Sequence, residues 1–429
     1  MTTLTTLTTL TTLTTPAAFA NSPAIGLVCR ECGNQTPLAP VHVCGECFAP
    51  LEVEYDLERL KLVTRASIEA GPQSIWRYAG LLPAGQDLAT RVDLGAGMTR
   101  LREAPNLARA LGMRSLYVKD DSGNPTHSFK DRVVSVALSA ARAFGYDTVS
   151  CASTGNLANS VAAHATHVGL KAIVFIPSDL EQGKIVQTAV YGQTLVAVDG
   201  TYDDVNRLCS EIAENEEWAF VNVNVRPYYA EGSKTLGYEV AEQLGWRLPR
   251  QVVIPMASGS LLTKVDKAFG ELVKLGLVDA SPYKVFGAQA TGCSPIATAY
   301  ENGWDTVKPV KPDTIAKSLA IGNPADGPYA LDVVRRTGGA MGHVSDAEVI
   351  EGIQLLASTE GVFAETAGGV TVATLRKLLA EGLIDPDEET VLYNTGDGLK
   401  TIEATALTSV PTVTIPPSYS AFVKSGQGS

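Results

Sequence analysis

From about residue 90 onward, short apolar runs alternate with longer amphipathic stretches. Leu116-Tyr-Val-Lys119, Thr148-Val-Ser-Cys151, Ala172-Ile-Val-Phe-Ile176, Leu195-Val-Ala-Val198, Val252-Val-Ile254, Val285-Phe-Gly-Ala288 and Val391-Leu-Tyr393 have the length and apolar character of buried strands. Between such runs, Val205, Leu208, Cys209 and Ile212 recur at i, i+3, i+4 and i+7, which predicts a helix with one apolar face. Another helix is predicted to start at the capping box Ser345-Asp-Ala-Glu348, with Val349, Ile350, Ile353 and Leu356 turned inward. Strands alternating with helices imply an α/β fold whose parallel sheets are covered on both faces. Ligands in such folds bind beyond the carboxyl ends of strands. The loops there are the places to look for chemistry.

Length and composition narrow the class. A chain of 429 residues is long enough for two or three structural units. With 45% hydrophobic and 19% charged residues it has the makings of an ordinary core. Its 34 Lys and Arg face 46 Asp and Glu, a net charge of −12, so neither nucleic acid nor an acidic membrane surface is an expected partner. No apolar run approaches the ~20 residues needed to span a bilayer. The first arginine is Arg30, which leaves the start without the basic character of a targeting segment and suggests a cytoplasmic protein. Residues 1–15 repeat Thr-Thr-Leu after the first Met, a period that fits neither helix nor strand and reads as a low-complexity tail.

Four of the seven cysteines, Cys29, Cys32, Cys44 and Cys47, form two Cys-x-x-Cys pairs eleven residues apart. Each pair can place two thiolates on one side of a tight turn, and two such turns complete a tetrahedron around zinc. Such a four-thiolate site would be closed, hence structural rather than catalytic. The rival reading is a pair of redox or accidental motifs. His42 is a spare donor nearby, expected to face solvent. Cys151, Cys209 and Cys293 lie singly in apolar segments and read as small buried hydrophobes.

Three strand-to-loop junctions stand out. Ser153-Thr154-Gly155-Asn156 precedes an alanine-rich stretch, Ala257-Ser258-Gly259-Ser260-Leu261 follows an apolar strand, and Thr395-Gly396-Asp-Gly398 follows another. Small-residue loops opening helices present free N–H groups that suit an anion. One such loop is usually only a turn, but three in one chain favour a small-molecule phosphate site. Other phosphate motifs are missing. Gly95-Ala-Gly97-Met-Thr-Arg100 breaks the dinucleotide pattern at its last position, and neither a phosphate loop ending Gly-Lys-Ser/Thr nor His-Glu-x-x-His occurs. The remaining candidate is Ser128-Phe129-Lys130-Asp131-Arg132 at the start of a predicted helix. Alone it would pass for a surface lysine. Beside a phosphate cradle, and with no other nucleophile, it suggests a Schiff-base lysine for pyridoxal phosphate.

The order Ser-Phe-Lys-Asp-Arg, Ser-Thr-Gly-Asn, Ser-Gly-Ser, Glu365-Thr-Ala-Gly-Gly369 and Thr-Gly-x-Gly-Leu-Lys resembles the threonine synthase family, within the fold type II (tryptophan-synthase-β-like) pyridoxal-phosphate enzymes. The resemblance spans roughly residues 25–405 and includes the double Cys-x-x-Cys that some members carry. It implies a two-lobed enzyme with parallel-rich twisted sheets and an N-terminal zinc-ribbon-like segment. The expected division is a tail at 1–22, the ribbon at 23–57, a large cofactor-binding lobe at 58–138 and 236–408, a small mobile lobe at 139–235 and a C-terminal tail at 409–429.

By resemblance, Lys130 would hold the cofactor and then shuttle protons, with Phe129 packed near the ring. Asn156 would bond the phenolic oxygen, Ala257 to Leu261 would hold the phosphate, and Thr395 would face the pyridine nitrogen. Ser153 and Thr154 would grip the substrate carboxylate, with Asn224 and Arg226 near the substrate phosphate. The implied reaction converts O-phospho-L-homoserine and water to L-threonine and phosphate, and because fold type II relatives are commonly dimers, a homodimer is expected. Three departures are visible. Gly97-Met-Thr99-Arg100-Leu101 replaces the usual Gly-x-Thr-Pro-Leu, the phosphate loop lacks the Gly-Asn-Ala-Gly-Asn form, and Arg226-Pro-Tyr-Tyr does not match residue for residue. An enzyme acting on O-phosphoserine, a threonine or serine dehydratase, or an inactive sensor of phosphorylated ligands would share many of these features.

Overall fold

The computed structural model describes residues 16–153, 155–178, 182–200, 202–406 and 413–426. The Thr-Thr-Leu repeat and Thr154 lie outside the described residues.

All seven apolar runs form strands. The thirteen strands are β1 (Ala24–Cys29), β2 (Gln35–Thr36), β3 (Leu51–Tyr55), β4 (Arg100–Glu103), β5 (Leu116–Asp120), β6 (Thr148–Ala152), β7 (Lys171–Pro177), β8 (Thr194–Val198), β9 (Ala219–Phe220), β10 (Gln251–Pro255), β11 (Lys284–Ala290), β12 (Met341–Val344) and β13 (Thr390–Asn394). One sheet has the order β8-β7-β6-β9 and is parallel throughout. A larger one runs β12-β11-β10-β13-β5-β4, parallel except for the edge pair β4 and β5. Their central strands β6, β10 and β13 are buried at every position, as strands covered on both faces must be.

The predicted helices form with one adjustment. The helix Asp346–Glu360 carries the full capping box, but Ile350 is only half-buried while Gly352 joins the inward face. There the helix packs on Thr366–Ala380 so closely that a Cβ on Gly352 would come within about 3.2 Å of the Ala373 backbone. The helix Tyr202–Asn215 buries Val205 and Cys209 and half-buries Leu208 and Ile212. Cys151, Cys209 and Cys293 are all buried.

Residues 24–55 contribute a three-stranded antiparallel ribbon of order β2-β1-β3. The ribbon is no free-standing appendage. Leu27, Leu51 and Val53 share one core with Val133 and Val134 of the helix Lys130–Ala143 and with Tyr228. The C-terminal segment contains a short exposed helix, Tyr419–Lys424, where the sequence suggests only a tail. Among the described residues no helix is long and apolar enough to cross a membrane.

Candidate active site

β10, β13 and β5 are parallel neighbours, so their carboxyl ends share one edge of the large sheet. At ~4.8 Å per strand, β10 and β5 lie about 10 Å apart. The loop at 256–259 leaves β10, Thr395 leaves β13, and the segment leading to Lys130 leaves β5. Three further pairings draw the segments together. Phe129 N–H donates to Thr395 O (2.9 Å), Asp397 N–H to His127 O (3.0 Å) and Glu365 N–H to Gly396 O (3.0 Å). A chain that looks dispersed over 270 residues thereby converges on one place.

Lys130 is the first residue of its helix and only half-buried. Its Nζ donates to the Tyr229 hydroxyl at 3.0 Å and lies 4.5 Å from the centre of the Phe129 ring. Tyr229 belongs to the helix Arg226–Glu231, so that helix stands beside the amine.

The loop at 256–259 leads into the helix Ser260–Lys274, which has no side-chain cap beyond a local bond from Ser260 N–H to Ser258 Oγ. Among the described residues, the N–H groups of Ala257, Ser258 and Gly259 find no acceptor. Gly259 has φ +91°, and a Cβ there would lie 3.0 Å from both Ala330 Cβ and Asp326 O, so only glycine suits the turn. Unpaired donors at a helix start fit a phosphate group.

Across from this edge, β6 ends at Ala152, and the helix Asn156–Val168 begins behind Gly155. Ser153 is buried, its Oγ accepting from Gly155 N–H at 3.4 Å. Asn156 Nδ2 donates to Glu365 Oε2 at 2.9 Å, and Thr395 Oγ1 to Glu365 Oε1 at 3.4 Å. Glu365 thus joins two of the predicted cofactor residues from both sheets. Burial pushes its carboxyl above the usual range, opposed by the Asn156 amide and by the nearby Lys400 and Lys130 amines. Glu365 opens the motif Glu365-Thr-Ala-Gly-Gly369, whose local pattern assigns it no role. A carboxylate at a helix start, followed by small residues, is the available signal.

Asn224 is turned to another use. Its Oδ1 accepts from Phe220 N–H (2.8 Å) and its Nδ2 donates to Trp218 O (2.9 Å), closing the turn that contains it. Arg226 instead reaches Asp326 Oδ2 at 2.7 Å, and Asp326 N–H donates to Ser258 O at 3.1 Å. Arg226 therefore stands next to the loop at 256–259. Tyr229 and Asp326 are the other residues that sequence reasoning passed over, and nothing in the local pattern marks Asp326.

The four paired cysteines converge as well. Their sulfurs all lie within 4.8 Å of one another, with the closest contacts 3.4 to 3.7 Å. None is in a disulfide. Four thiolates at ~2.3 Å from a central ion would stand about 3.8 Å apart, so the cluster fits a metal. N–H groups of Cys32 and Glu31 lower the Cys29 thiol to about 6. Although the Asn34 N–H favours its thiolate, Cys29 and Cys47 push Cys32 up to about 12. Four thiolates this close repel one another, and a dication at their centre would relieve that crowding. His42 is no ligand of this cluster, and it is half-buried rather than solvent-facing. Burial, and then the Arg226 charge, hold its imidazole below the usual range.

A lysine at a helix start, a turn with unpaired N–H donors and a buried polar cluster between two α/β sheets match the layout of fold type II pyridoxal-phosphate enzymes. The family described as "Pyridoxal-phosphate dependent enzyme" matches residues 92–396, and the chain belongs to it. Within it, the chain is similar to the threonine synthase of Methanocaldococcus jannaschii, 37% identical over 379 residues that cover 88% of this chain and 93% of that one. The threonine synthase of Methanosarcina acetivorans is 35% identical over 377 residues, 87% of this chain and 92% of the relative. Among solved structures, the processed threonine deaminase isoform 2 of Solanum lycopersicum superposes with a TM-score of 0.61 at 23% identity, covering 72% of this chain and 82% of that one. That likeness shows the fold.

Proposed function

We infer that the chain acts as a threonine synthase, converting O-phospho-L-homoserine and water to L-threonine and phosphate. The observation that carries this reading is its similarity to threonine synthases across nearly their whole length. The site chemistry supports it. Lys130 offers an amine for covalent attachment, the N–H groups at 257–259 suit the cofactor's phosphate, and Asn156 and Thr395 offer polar groups to its ring. When bound, pyridoxal phosphate supplies an electron sink that acidifies the bond at the substrate Cα.

The chain's own groups do the rest. The Lys130 amine takes and returns protons, held by the Tyr229 hydroxyl and the face of Phe129. Ser153, its neighbour Thr154 and the helix start at Asn156 receive the substrate carboxylate. Arg226 faces the substrate phosphate. The unit at about 139–235 serves as the mobile lobe, closing on substrate to exclude water. Asn224 is omitted from this assignment because its amide already closes its own turn.

Incubating the purified enzyme separately with O-phosphohomoserine, O-phosphoserine and threonine, then measuring phosphate and keto acid, tests the reading. Phosphate and threonine should appear with the first substrate alone. Keto acid from threonine would instead indicate a dehydratase.

Glu365→Gln tests the polar cluster. The amide keeps the shape but replaces one acceptor oxygen with a donor, which faces the Asn156 or Thr395 donor. Misalignment of a reacting group on this scale can cost on the order of 10²-fold, so kcat should fall by about that factor while the cofactor remains bound. Unchanged kcat would remove Glu365 from the site's working parts.

For the cysteine cluster we propose structural zinc. Metal analysis should find about one zinc per chain, absent from the Cys29→Ser, Cys32→Ser double variant. Because the ribbon also packs on the Lys130 helix, the variant should lose thermal stability without losing its fold outright. Metal-free wild-type protein with four reduced thiols would rule zinc out.

A further inference from the structure

The cysteine ribbon does more than pack. Arg30 lies between Cys29 and Cys32, so the same turn that gathers the thiols also aims this side chain. Its guanidinium stacks 3.4 Å from the centre of the Tyr329 ring. The next residue, Glu31, accepts the Tyr329 hydroxyl at 2.6 Å. Tyr329 sits in the first turn of the helix Gly327–Thr337, whose N-cap residue is Asp326. Arg30 NH1 then lies 3.5 Å from Asp326 Oδ1, while Arg226 NH2 holds the other oxygen at 2.7 Å. One carboxylate is shared by an arginine of the ribbon and an arginine beside the loop at 256–259.

Further ion pairs make the junction rigid. Glu52 of β3 faces Arg30 at 3.4 Å and Lys264 at 2.8 Å. Lys264 belongs to the helix opened by the loop, and it also meets Glu231 at 2.8 Å on the helix that carries Arg226 and Tyr229. Arg30 and Asp326 keep only 18% and 8% of their side-chain surface exposed. Arg226 keeps 25%. Solvent screening is weakest where such pairs are most enclosed. Asp326, gripped by Arg30 on one oxygen, holds Arg226 on the other and Ser258 through its backbone.

We propose that Arg30 is a positioning residue. Acting through Asp326, it sets where Arg226 meets the substrate's phosphate, so the cysteine ribbon tunes affinity for the phosphorylated substrate. This rests on the reading that the enzyme takes a phosphorylated amino acid. The initial measurement is therefore wild-type turnover of O-phosphohomoserine, whose absence would defeat that reading before the ribbon is tested.

Given turnover, Arg30→Gln should raise KM for O-phosphohomoserine about five- to tenfold, within the span of couplings in a shared charge network. Its kcat should stay within about twofold, and its metal content and cofactor absorbance should match the wild type. Binding of inorganic phosphate to the holoenzyme, followed by calorimetry, should weaken by a similar factor. Affinity for unphosphorylated homoserine should not change. Asp326→Asn should give the same phenotype, and the double variant should be no worse than the more severe single one. Arg30→Lys keeps the charge and should recover part of the affinity, which a purely structural role would not produce. If Arg30→Gln folds poorly, Tyr329→Leu removes the stacked ring and leaves the ribbon's thiols intact, and it should raise KM likewise. Unchanged KM and phosphate affinity in well-folded variants would overturn the proposal. So would a fall in kcat or loss of cofactor with KM unchanged.

Discussion

Lys130→Ala is expected to abolish threonine formation and to remove the visible absorbance of the bound cofactor. The amine is the only lysine nitrogen described in contact with both Tyr229 and the Phe129 ring, and no other group of the cluster can replace both its covalent and its proton-transfer work. General acid–base catalysis is worth ~10²–10⁴-fold per transfer. With at least two proton transfers at stake, the loss should reach or exceed about 10⁴-fold. Lys130→Arg is expected to be equally inactive. It preserves the charge, but a guanidinium stays protonated at working pH and cannot act as the base. Threonine release assays and an absorbance spectrum of the same preparation decide the matter. Activity near wild type in Lys130→Ala would remove the lysine from its assigned role.

The largest loss of stability is expected from Arg132→Met, two residues further along the same helix. Arg132 bonds Asp121 through Nε and NH2 at 2.7 Å each, and Glu239 through NH1 at 2.5 Å and NH2 at 2.8 Å. Lys119 adds a second cation at 2.6 Å from Glu239. All four side chains are essentially without exposure. Burial opposes ionisation of Glu239, yet Arg132 and then Lys119 hold its carboxyl down at about 2.

Removing one member of a buried network leaves an uncompensated charge, at a cost of about 3–5 kcal/mol. Against a typical net stability of about 5–15 kcal/mol, that is large, and the denaturation midpoint should fall accordingly. Adding Asp121→Leu should restore part of the loss by removing the buried carboxylate left without its cation, while Glu239 keeps Lys119. The network also predicts acid sensitivity. Because the folded-state pKa of Glu239 is depressed, its contribution is present above the unfolded carboxylate value of ~4.3 and is lost as pH falls toward about 2. A variant as stable as wild type would show that the four charges are not acting as one unit.

The seven predicted strands were legible because covered strands are mostly apolar along their length, and nothing distant is needed to see that. The capping box at Ser345 was legible for a similar reason, since Ser345 and Glu348 satisfy each other's backbone donors within one turn. Ile350 was misjudged because periodicity alone cannot reveal how closely a neighbouring helix approaches. Gly352 admits the backbone of the helix Thr366–Ala380 and takes the inward place. The outward expectation for His42 failed in the same way, since tertiary packing half-buries it and the Arg226 charge that bears on it lies far along the chain.

Chemistry divided along the same line. Lys130, the cysteine pairs and the three small-residue loops were visible because each depends on residues close in sequence, whose spacing alone limits what they can bind. Glu365, Tyr229 and Asp326 were not. Glu365 acquires meaning only when Asn156 and Thr395 arrive from different sheets, and Tyr229 only when its helix stands beside Lys130. Asp326 matters because two arginines separated by 196 positions, Arg30 and Arg226, meet on its two oxygens. The sequence by itself determined seven of the strands, the place of Lys130 at a helix start and the pairing of the thiols, because local sterics and short-range spacing suffice for those. Which hydroxyl and ring stand beside the lysine, and that the ribbon reaches the loop at 256–259 through Asp326, were decided only by tertiary packing, because a charge's partner is chosen by distance in space and not by distance along the chain.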